Sequence, residues 1–222
     1  PARAIDAARS VFDDWSGATV AEVTDTPMPS KAGRQCRVVS MMNKSQTDIA
    51  YGFATIARQD ASYHAYSLMN NILGQYSLGG RLGDSIRERQ GMAYYVFSSL
   101  DANVIPGPLV IRAGVNPANV ERAVASIDAE LSRFVADGPS DRELTESKQY
   151  LIGSMPRTLE TNMGIANFLQ TVEFFGLGLD YDRRVPALLQ ALSKEDVHAA
   201  ARAALDPERA AIVVAGALVA GL

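Results

Sequence analysis

The sequence contains little of what a metal or cysteine-dependent active site requires. Its 222 residues include one cysteine, Cys36, and two histidines, His64 and His198. One cysteine excludes an internal disulfide framework and a cysteine-rich zinc site. The histidines are far apart and neither belongs to a His-x-x-Glu-His motif or its inverted form. We therefore interpret both as structural or surface residues, with a site shared with a second chain as the alternative.

Other functional signatures are also missing. The chain has no Gly-x-Ser-x-Gly motif and no phosphate-binding loop, since the glycines at 79, 80 and 83 lack a following Lys-Ser or Lys-Thr. It has 21 basic and 25 acidic residues, for a net charge of −4, and no basic run. We therefore expect neither a nucleic-acid nor a membrane partner. Cys36 has no base near it in sequence, which predicts a buried, inert thiol.

The longest apolar run, residues 210–222, is too short for the roughly 20 residues that span a bilayer. It predicts a buried strand with a trailing tail. Because the chain starts at Pro1 rather than methionine, we expect a processed product or a piece of a longer protein.

The composition changes along the first part of the chain. Residues 1–16 are typical of an amphipathic helix, whose apolar face would contain Ile5, Ala8, Phe12 and Trp15. Residues 17–33 are rich in proline, threonine, serine and glycine, which is typical of a linker. We therefore predict the terminal helix of an upstream domain at 1–16, a linker at 17–33 and a separate domain at 34–222.

The pattern after the linker predicts a mixed fold. Two strand-like segments, 34–42 and 47–57, flank a turn at 43–46, which predicts a hairpin. A second hairpin is predicted for 93–105 and 109–115, around a Pro-Gly-Pro turn. The order of strands and helices is not a strict βαβ alternation. The predicted fold is therefore α+β, a mixed and largely antiparallel sheet with helices packed on one face.

Helical segments are marked by apolar stripes and capping signals. Ser140 with Glu143 predicts a capping box for the longest helix, and Ser193 with Asp196 predicts the start of another. Two predicted buried stripes are Ala65, Leu68, Met69, Ile72 and Leu73, and Val120, Val124, Ile127, Leu131 and Phe134.

One segment, residues 79–96, combines basic, glycine and aromatic residues in a distinctive order. A basic helix end stops at Gly91 and is followed at once by an aromatic strand. If Gly91 turns the chain, Arg87 and Tyr94 can point to one place. A guanidinium offers paired donors and a phenol offers one, so together they could hold a peptide carbonyl or an oxyanion. The alternative is an ordinary helix C-terminus followed by a core strand.

This segment resembles the second half of pitrilysin/insulinase-family zinc metallopeptidases. The matching stretches are Gly-Arg-Leu at 80–82 and Ile-Arg-Glu-Arg-Gln-Gly-Met-Ala-Tyr at 86–94. Further similar stretches are Gln-Thr-Asp-Ile at 46–49, residues 68–74, Tyr-Leu-Ile-Gly-Ser at 150–154 and residues 209–216. The resemblance covers about 34–216. It implies one half of a clamshell whose other, homologous half carries the zinc.

The resemblance implies a non-catalytic, substrate-binding half of a zinc-dependent endopeptidase that acts on peptides or unfolded segments. Arg87 and Tyr94 match the positions that reach the substrate, and Arg81 is a further substrate-binding candidate that could instead form a local salt bridge. No cofactor is expected in this chain, and zinc is expected in the partner half. We expect no peptidase activity from the chain alone, and self-association when it is isolated.

Two alternatives stay open. The first is a structural core or assembly subunit of the same fold without a proteolytic role. The second is an independent hydrolase that uses Cys36.

Overall fold

A computed structural model of the chain describes residues 2–17, 33–75 and 80–217. The strands are β1 Gln35–Ser40, β2 Thr47–Ala54, β3 Ala93–Leu100, β4 Pro108–Val115 and β5 Ala211–Gly216. The α-helices are α1 Ala2–Phe12, α2 Tyr63–Asn70, α3 Val120–Asp137, α4 Asp141–Thr158, α5 Asn162–Phe174, α6 Tyr181–Ala191 and α7 Lys194–Ala204. Two π-helical segments, Asn71–Gln75 and Gly83–Arg89, and two short 3-10 turns, Pro117–Asn119 and Pro207–Arg209, complete the described elements.

The five strands form one sheet in the order β1-β5-β2-β4-β3. β1 pairs with β5 in parallel, and every other pair is antiparallel. Alternate residues of β2 show that one face is covered: Ile49, Tyr51 and Phe53 are buried, whereas the residues between them are partly exposed. The predicted α+β fold with helices on one face of a largely antiparallel sheet is confirmed.

The predicted hairpin between the first two strands is wrong. β5 lies between β1 and β2, and pairs Ile212 with Cys36 on one side and Val214 with Ile49 on the other. Ile212 and Val214 are both buried, as expected for an interior strand. A strand-turn-strand pattern is local, so it does not reveal that a strand from the other end of the chain inserts between its two members.

The second predicted hairpin is present, because β3 pairs with β4 over most of their lengths. β3 ends at Leu100 rather than at 105. Both predicted capping boxes are also present, at Ser140 with Glu143 and at Ser193 with Asp196. The predicted stripe of α2 and its π-helical extension is buried throughout, and that of α3 is buried except for Val124, which is half-buried.

Three further features bear on the predictions. α6 is a helix that the sequence analysis missed, since Pro186 lies inside it and glycines precede it. Cys36 is exposed rather than buried, as is every residue of the edge strand β1. Among the described residues, no helix is both long enough and apolar enough to cross a bilayer.

The helix predicted at the start of the chain is present as α1. Its apolar residues are exposed, with Phe12 at 56% and Trp15, just beyond the helix, at 76%. Most of the predicted linker, residues 18–32, lies outside the described residues, as does the tail at 218–222. The division into 1–16, 17–33 and 34–222 therefore stays a prediction.

Candidate functional site

The segment that carries Arg87 and Tyr94 is a π-helical turn followed by a sharp reversal into β3. Leu82 and Ile86 are fully buried and fix the turn to the core. Gly91 has a φ of +61°, a left-handed conformation that glycine adopts without strain, and it connects the turn to the strand. The Met92 amide donates to the Ile86 carbonyl at 3.1 Å, which closes the end of the turn.

Arg87 occupies the last turn of this segment and is accessible to solvent. Its side chain is 40% exposed, and its Nε lies 3.9 Å from Glu88 Oε1. An exposed pair at that distance contributes little and does not fix the guanidinium. Its donors are therefore accessible to solvent.

Tyr94 is the extra residue of a β-bulge. Ala93 lies opposite Val115 and Tyr95 lies opposite Gly114, so that Tyr94 has no partner on β4. A bulge of this kind changes the direction in which a side chain points, and bulges are frequent beside active sites. Tyr94 is an exposed residue, with 61% of its surface accessible to solvent.

Arg81 makes its contacts at the α3–α4 junction. Its Nε and Nη2 bind the Glu143 carboxylate at 2.6 and 2.9 Å, and Nη2 also donates to the Gly138 carbonyl at 2.8 Å. Its Nη1 lies 3.9 Å from the buried Glu130 carboxylate, and its guanidinium covers the Phe134 ring at 4.2 Å. These contacts are the local salt bridge that the sequence analysis gave as the alternative for Arg81.

The carboxylate of Glu143 is strongly stabilised in this network. Burial raises its pKa, but the hydrogen bonds from Arg81 and Ser140 outweigh burial and lower that pKa to about 2. The pKa of Glu130 shifts in the opposite direction. Burial raises it, and this effect outweighs the lowering by the nearby charges of Arg133 and Arg81. The network therefore fastens the start of the Arg87 segment to two helices.

A polar cluster beside Tyr94 was not predicted from the sequence. Asp48 Oδ1 accepts hydrogen bonds from the Tyr95 hydroxyl at 2.8 Å and from Gln46 Nε2 at 2.9 Å, and Lys44 binds the other carboxylate oxygen. Burial, followed by the hydrogen bond to Asp48, raises the pKa of Tyr95 to about 12. The polar position of Asp48 among the buried residues of β2 was the available signal.

Neither histidine forms a metal site with Cys, Asp or Glu side chains of the described residues. The His64 ring stacks on Tyr181 with centroids 6.1 Å apart, and His198 Nε2 lies 2.7 Å from the Val135 carbonyl oxygen. Within residues 2–17, 33–75 and 80–217, no group of three His, Cys, Asp or Glu side chains could hold a metal ion. These residues therefore do not fit a zinc ion.

Comparisons with known proteins agree with this architecture. The family model described as the peptidase M16 inactive domain matches residues 1–151. The chain is 25% identical to an uncharacterized zinc protease, YmxG, of Bacillus subtilis over 149 residues, which are 67% of this chain and 36% of that protein. It is 27% identical to an uncharacterized zinc protease of Streptomyces coelicolor over 183 residues, which are 79% of this chain and 39% of that protein.

A solved structure is similar over nearly the whole chain. The crystal structure of a peptidase M16 inactive domain from Pseudomonas fluorescens has a TM-score of 0.80 to this chain at 29% identity. The match covers 93% of this chain and 48% of that one. This chain thus spans well under half the length of the two curated relatives.

Proposed function

Because the chain belongs to the peptidase M16 inactive-domain family, we propose that it is the non-catalytic, substrate-binding half of a zinc-dependent endopeptidase. Its substrates would be peptides or unfolded segments. A homologous half that holds the zinc, in the same polypeptide or in a separate subunit, would complete the active site. The relatives extend well beyond the part that this chain matches, which leaves room for such a half in them.

The observation that carries the proposal is the exposure of two hydrogen-bond donors on either side of Gly91. Arg87 would donate paired hydrogen bonds to backbone carbonyls of the substrate, as a guanidinium does well. Tyr94, which is exposed and has no partner on β4, would donate to the oxyanion of the reacting carbonyl or to a neighbouring carbonyl. Both side chains are held by backbone that the core fixes, so little reorganisation would be needed on binding.

Arg81 would have a structural role. Its guanidinium is engaged by Glu143 and Gly138, so it would act by holding the segment that presents Arg87 rather than by reaching the substrate. The zinc, which would polarise the scissile carbonyl and activate water when bound, would belong to the partner half. This chain's residues would bind and orient the peptide.

The first experiment is to determine the sequence encoded upstream of Pro1 and in the adjacent reading frame. A homologous half with His-x-x-Glu-His and a downstream Glu supports the proposal. A homologous half without these ligands supports the alternative, a structural core or assembly subunit.

The second experiment measures peptidase activity of the complete protein, containing both halves, on a quenched fluorescent peptide. We expect turnover that a zinc chelator abolishes and that this chain alone does not show. An independent hydrolase that uses Cys36 would instead keep its activity with the chelator and lose it on Cys36→Ser.

A further inference from the structure

Arg58 is a buried cation that forms no ion pair with any acidic side chain of the described residues. Its side chain lies in the loop after β2, the residue is 8% exposed, and its amide donates to the Asn103 carbonyl at 2.7 Å. Within the described part of the chain, no Asp or Glu forms an ion pair with it. Arginine does not lose its proton in proteins, and burying an unpaired charge is costly. Another group must therefore compensate this charge.

Aromatic rings supply part of that compensation. The Arg58 Cζ atom lies 3.7 Å from the ring centroid of Tyr63, 5.4 Å from that of Tyr181 and 5.7 Å from that of Phe175. These distances are within the range of cation–π attraction. Three rings from α2, the end of α5 and α6 therefore surround one guanidinium.

Most hydrogen-bond donors of Arg58 have no acceptor among the described residues. A guanidinium has five N–H donors. Among the described residues, its side chain makes one hydrogen bond, from Nη2 to the Tyr181 hydroxyl oxygen at 2.7 Å. Because Tyr181 accepts that bond, its own O–H can donate to a further group. The guanidinium and the phenol thus offer several donors side by side.

These donors line a cavity. It has a volume of about 410 Å³ and opens to solvent, and its polar lining includes Arg58, Gln59, Asp60, Tyr63, His64, Tyr181 and Arg184. The Asp60 carboxylate accepts hydrogen bonds from the amide and the hydroxyl of Ser62, at 2.8 and 2.6 Å, and forms no ion pair with Arg58. Arg184 is paired with Asp180, at 3.0 Å from Nε to Oδ2, so its charge is already compensated. Burial, and then the charge of Arg58, lower the pKa of His64, which keeps that imidazole neutral at pH 7. Of the two arginines in this lining, Arg58 is therefore the one without an ion-pair partner among the described residues.

We propose that this cavity, termed here the Arg58 cavity, binds the carboxylate group of a ligand. A carboxylate would supply an ion-pair partner for Arg58, and its two oxygens match the planar fork of a guanidinium. The Tyr181 hydroxyl would donate a further hydrogen bond to the same group. A free small acid and the C-terminus of a peptide both carry this group. The proposal does not depend on the peptidase role proposed above.

The test is calorimetric titration of the full chain with matched probes. The probes are N-acetyl-leucine and its amide, and a pentapeptide with a free or an amidated C-terminus. We expect saturable binding of the free acids, at least about tenfold tighter than that of the amides, since the amides lack the charge. Tighter binding of the peptide than of N-acetyl-leucine would assign the site to peptide C-termini, and the reverse order would assign it to small acids.

Two variants and a control locate the binding. Arg58→Lys keeps the charge but removes the planar fork, and Tyr181→Phe keeps the ring but removes the hydroxyl. Each should weaken binding about tenfold or more. Arg142→Gln is the control, because the Arg142 side chain on α4 is 83% exposed. It should leave the affinity unchanged. If Arg58→Lys does not fold, as judged by circular dichroism, Tyr181→Phe still decides the question.

The two histidines of the sequence provide an independent readout. On addition of N-acetyl-leucine at pH 7, the NMR signal of His64 should move, and that of His198, which lies on α7 against α3, should not. No saturable binding up to about 10 mM of any free acid, equal binding of acid and amide, or unaltered binding by both variants would overturn the proposal. Inorganic phosphate that binds about tenfold tighter than the acids would overturn the choice of carboxylate.

Discussion

The Tyr95 hydroxyl donates a hydrogen bond of 2.8 Å to Asp48 Oδ1 across the open face of the sheet. Tyr95 is on β3 and Asp48 is on β2, so the Tyr95 ring must cross the intervening strand β4. It does so over Gly114, the residue that pairs with both of them. A Cβ atom at Gly114 would clash with Tyr95 Cε1 and with Gln46 Nε2. This glycine therefore makes the hydrogen bond possible.

Gly114→Ala should destabilise the fold by about 1–3 kcal/mol, because the new methyl group displaces the Tyr95 ring and breaks its hydrogen bond to Asp48. Urea unfolding followed by circular dichroism measures the change. Gly153→Ala is the matched control, since Gly153 lies in α4 with nothing within 4 Å of an added Cβ. That control should be stabilising by about 0.4–1 kcal/mol. Equal effects of the two substitutions would contradict this explanation.

The Arg81–Glu143 pair should make stability depend on pH in the acidic range. The pKa of Glu143 is about 2 in the folded protein, against 4.5 as the ordinary value. Because the folded-state pKa is the lower one, the stabilisation is complete above about pH 5 and is lost as the pH falls toward 2. Glu143→Gln should therefore cost about 1–3 kcal/mol at pH 7 and progressively less below pH 5.

The measurement for Glu143 is urea unfolding of the wild type and the variant at several pH values between 3 and 7. Glu146→Gln serves as the control, since Glu146 lies on the same helix with a side chain that is 60% exposed. It should change stability by less than about 0.5 kcal/mol at every pH. A cost of Glu143→Gln that stays constant down to pH 3 would show that the ion pair is not its origin.

Cys36 should react with a thiol reagent such as DTNB in the native protein. It is exposed on the edge strand β1, and it is the one cysteine in the sequence. We therefore expect one equivalent to react without denaturant, at a rate that low urea does not increase. Reaction only above the unfolding midpoint would mean that β1 is covered in solution.

The sequence was most informative where structure depends on neighbours along the chain. Both capping boxes are made by residues three positions apart, and the buried stripe from Ala65 to Leu73 follows helical spacing. The place of β5 between β1 and β2 was not predicted, because it depends on pairing between the two ends of the domain.

The sites show the same contrast. Arg87 and Tyr94 were predicted as a pair because they lie on either side of one glycine and match a family motif, and their role stays a prediction. Nothing in the sequence marks the bulge that isolates Tyr94 from β4. Arg58 was not found at all. Two of its ring partners, Phe175 and Tyr181, lie far from Arg58 along the sequence. Tyr181 begins α6, a helix that was not predicted. Sites assembled from distant segments need the fold before their chemistry becomes visible.

Arg87 and Tyr94 should matter for turnover and not for stability. Tyr94→Phe removes one hydroxyl from a side chain that is 61% exposed, so its free energy of unfolding should change by less than about 0.5 kcal/mol. Arg87→Ala should also leave the free energy of unfolding nearly unchanged, since its ion pair with Glu88 is exposed and its N–O distance is 3.9 Å. In the complete protein with both halves, each should lower peptide turnover by about 10²–10³, the effect of losing one oxyanion donor in well-studied enzymes.

Arg89→Ala is the matched control for these variants. Arg89 lies two residues from Arg87, its side chain is 60% exposed, and it pairs with Asp84 at 2.8 Å. A general loss of positive charge from the segment would lower turnover in Arg89→Ala as much as in Arg87→Ala. Turnover that falls in Arg87→Ala and Tyr94→Phe but not in Arg89→Ala would instead require a specific geometry around Gly91. Unchanged turnover in both site variants would remove these residues from the mechanism, and the exposed phenol of Tyr94 would then need another partner.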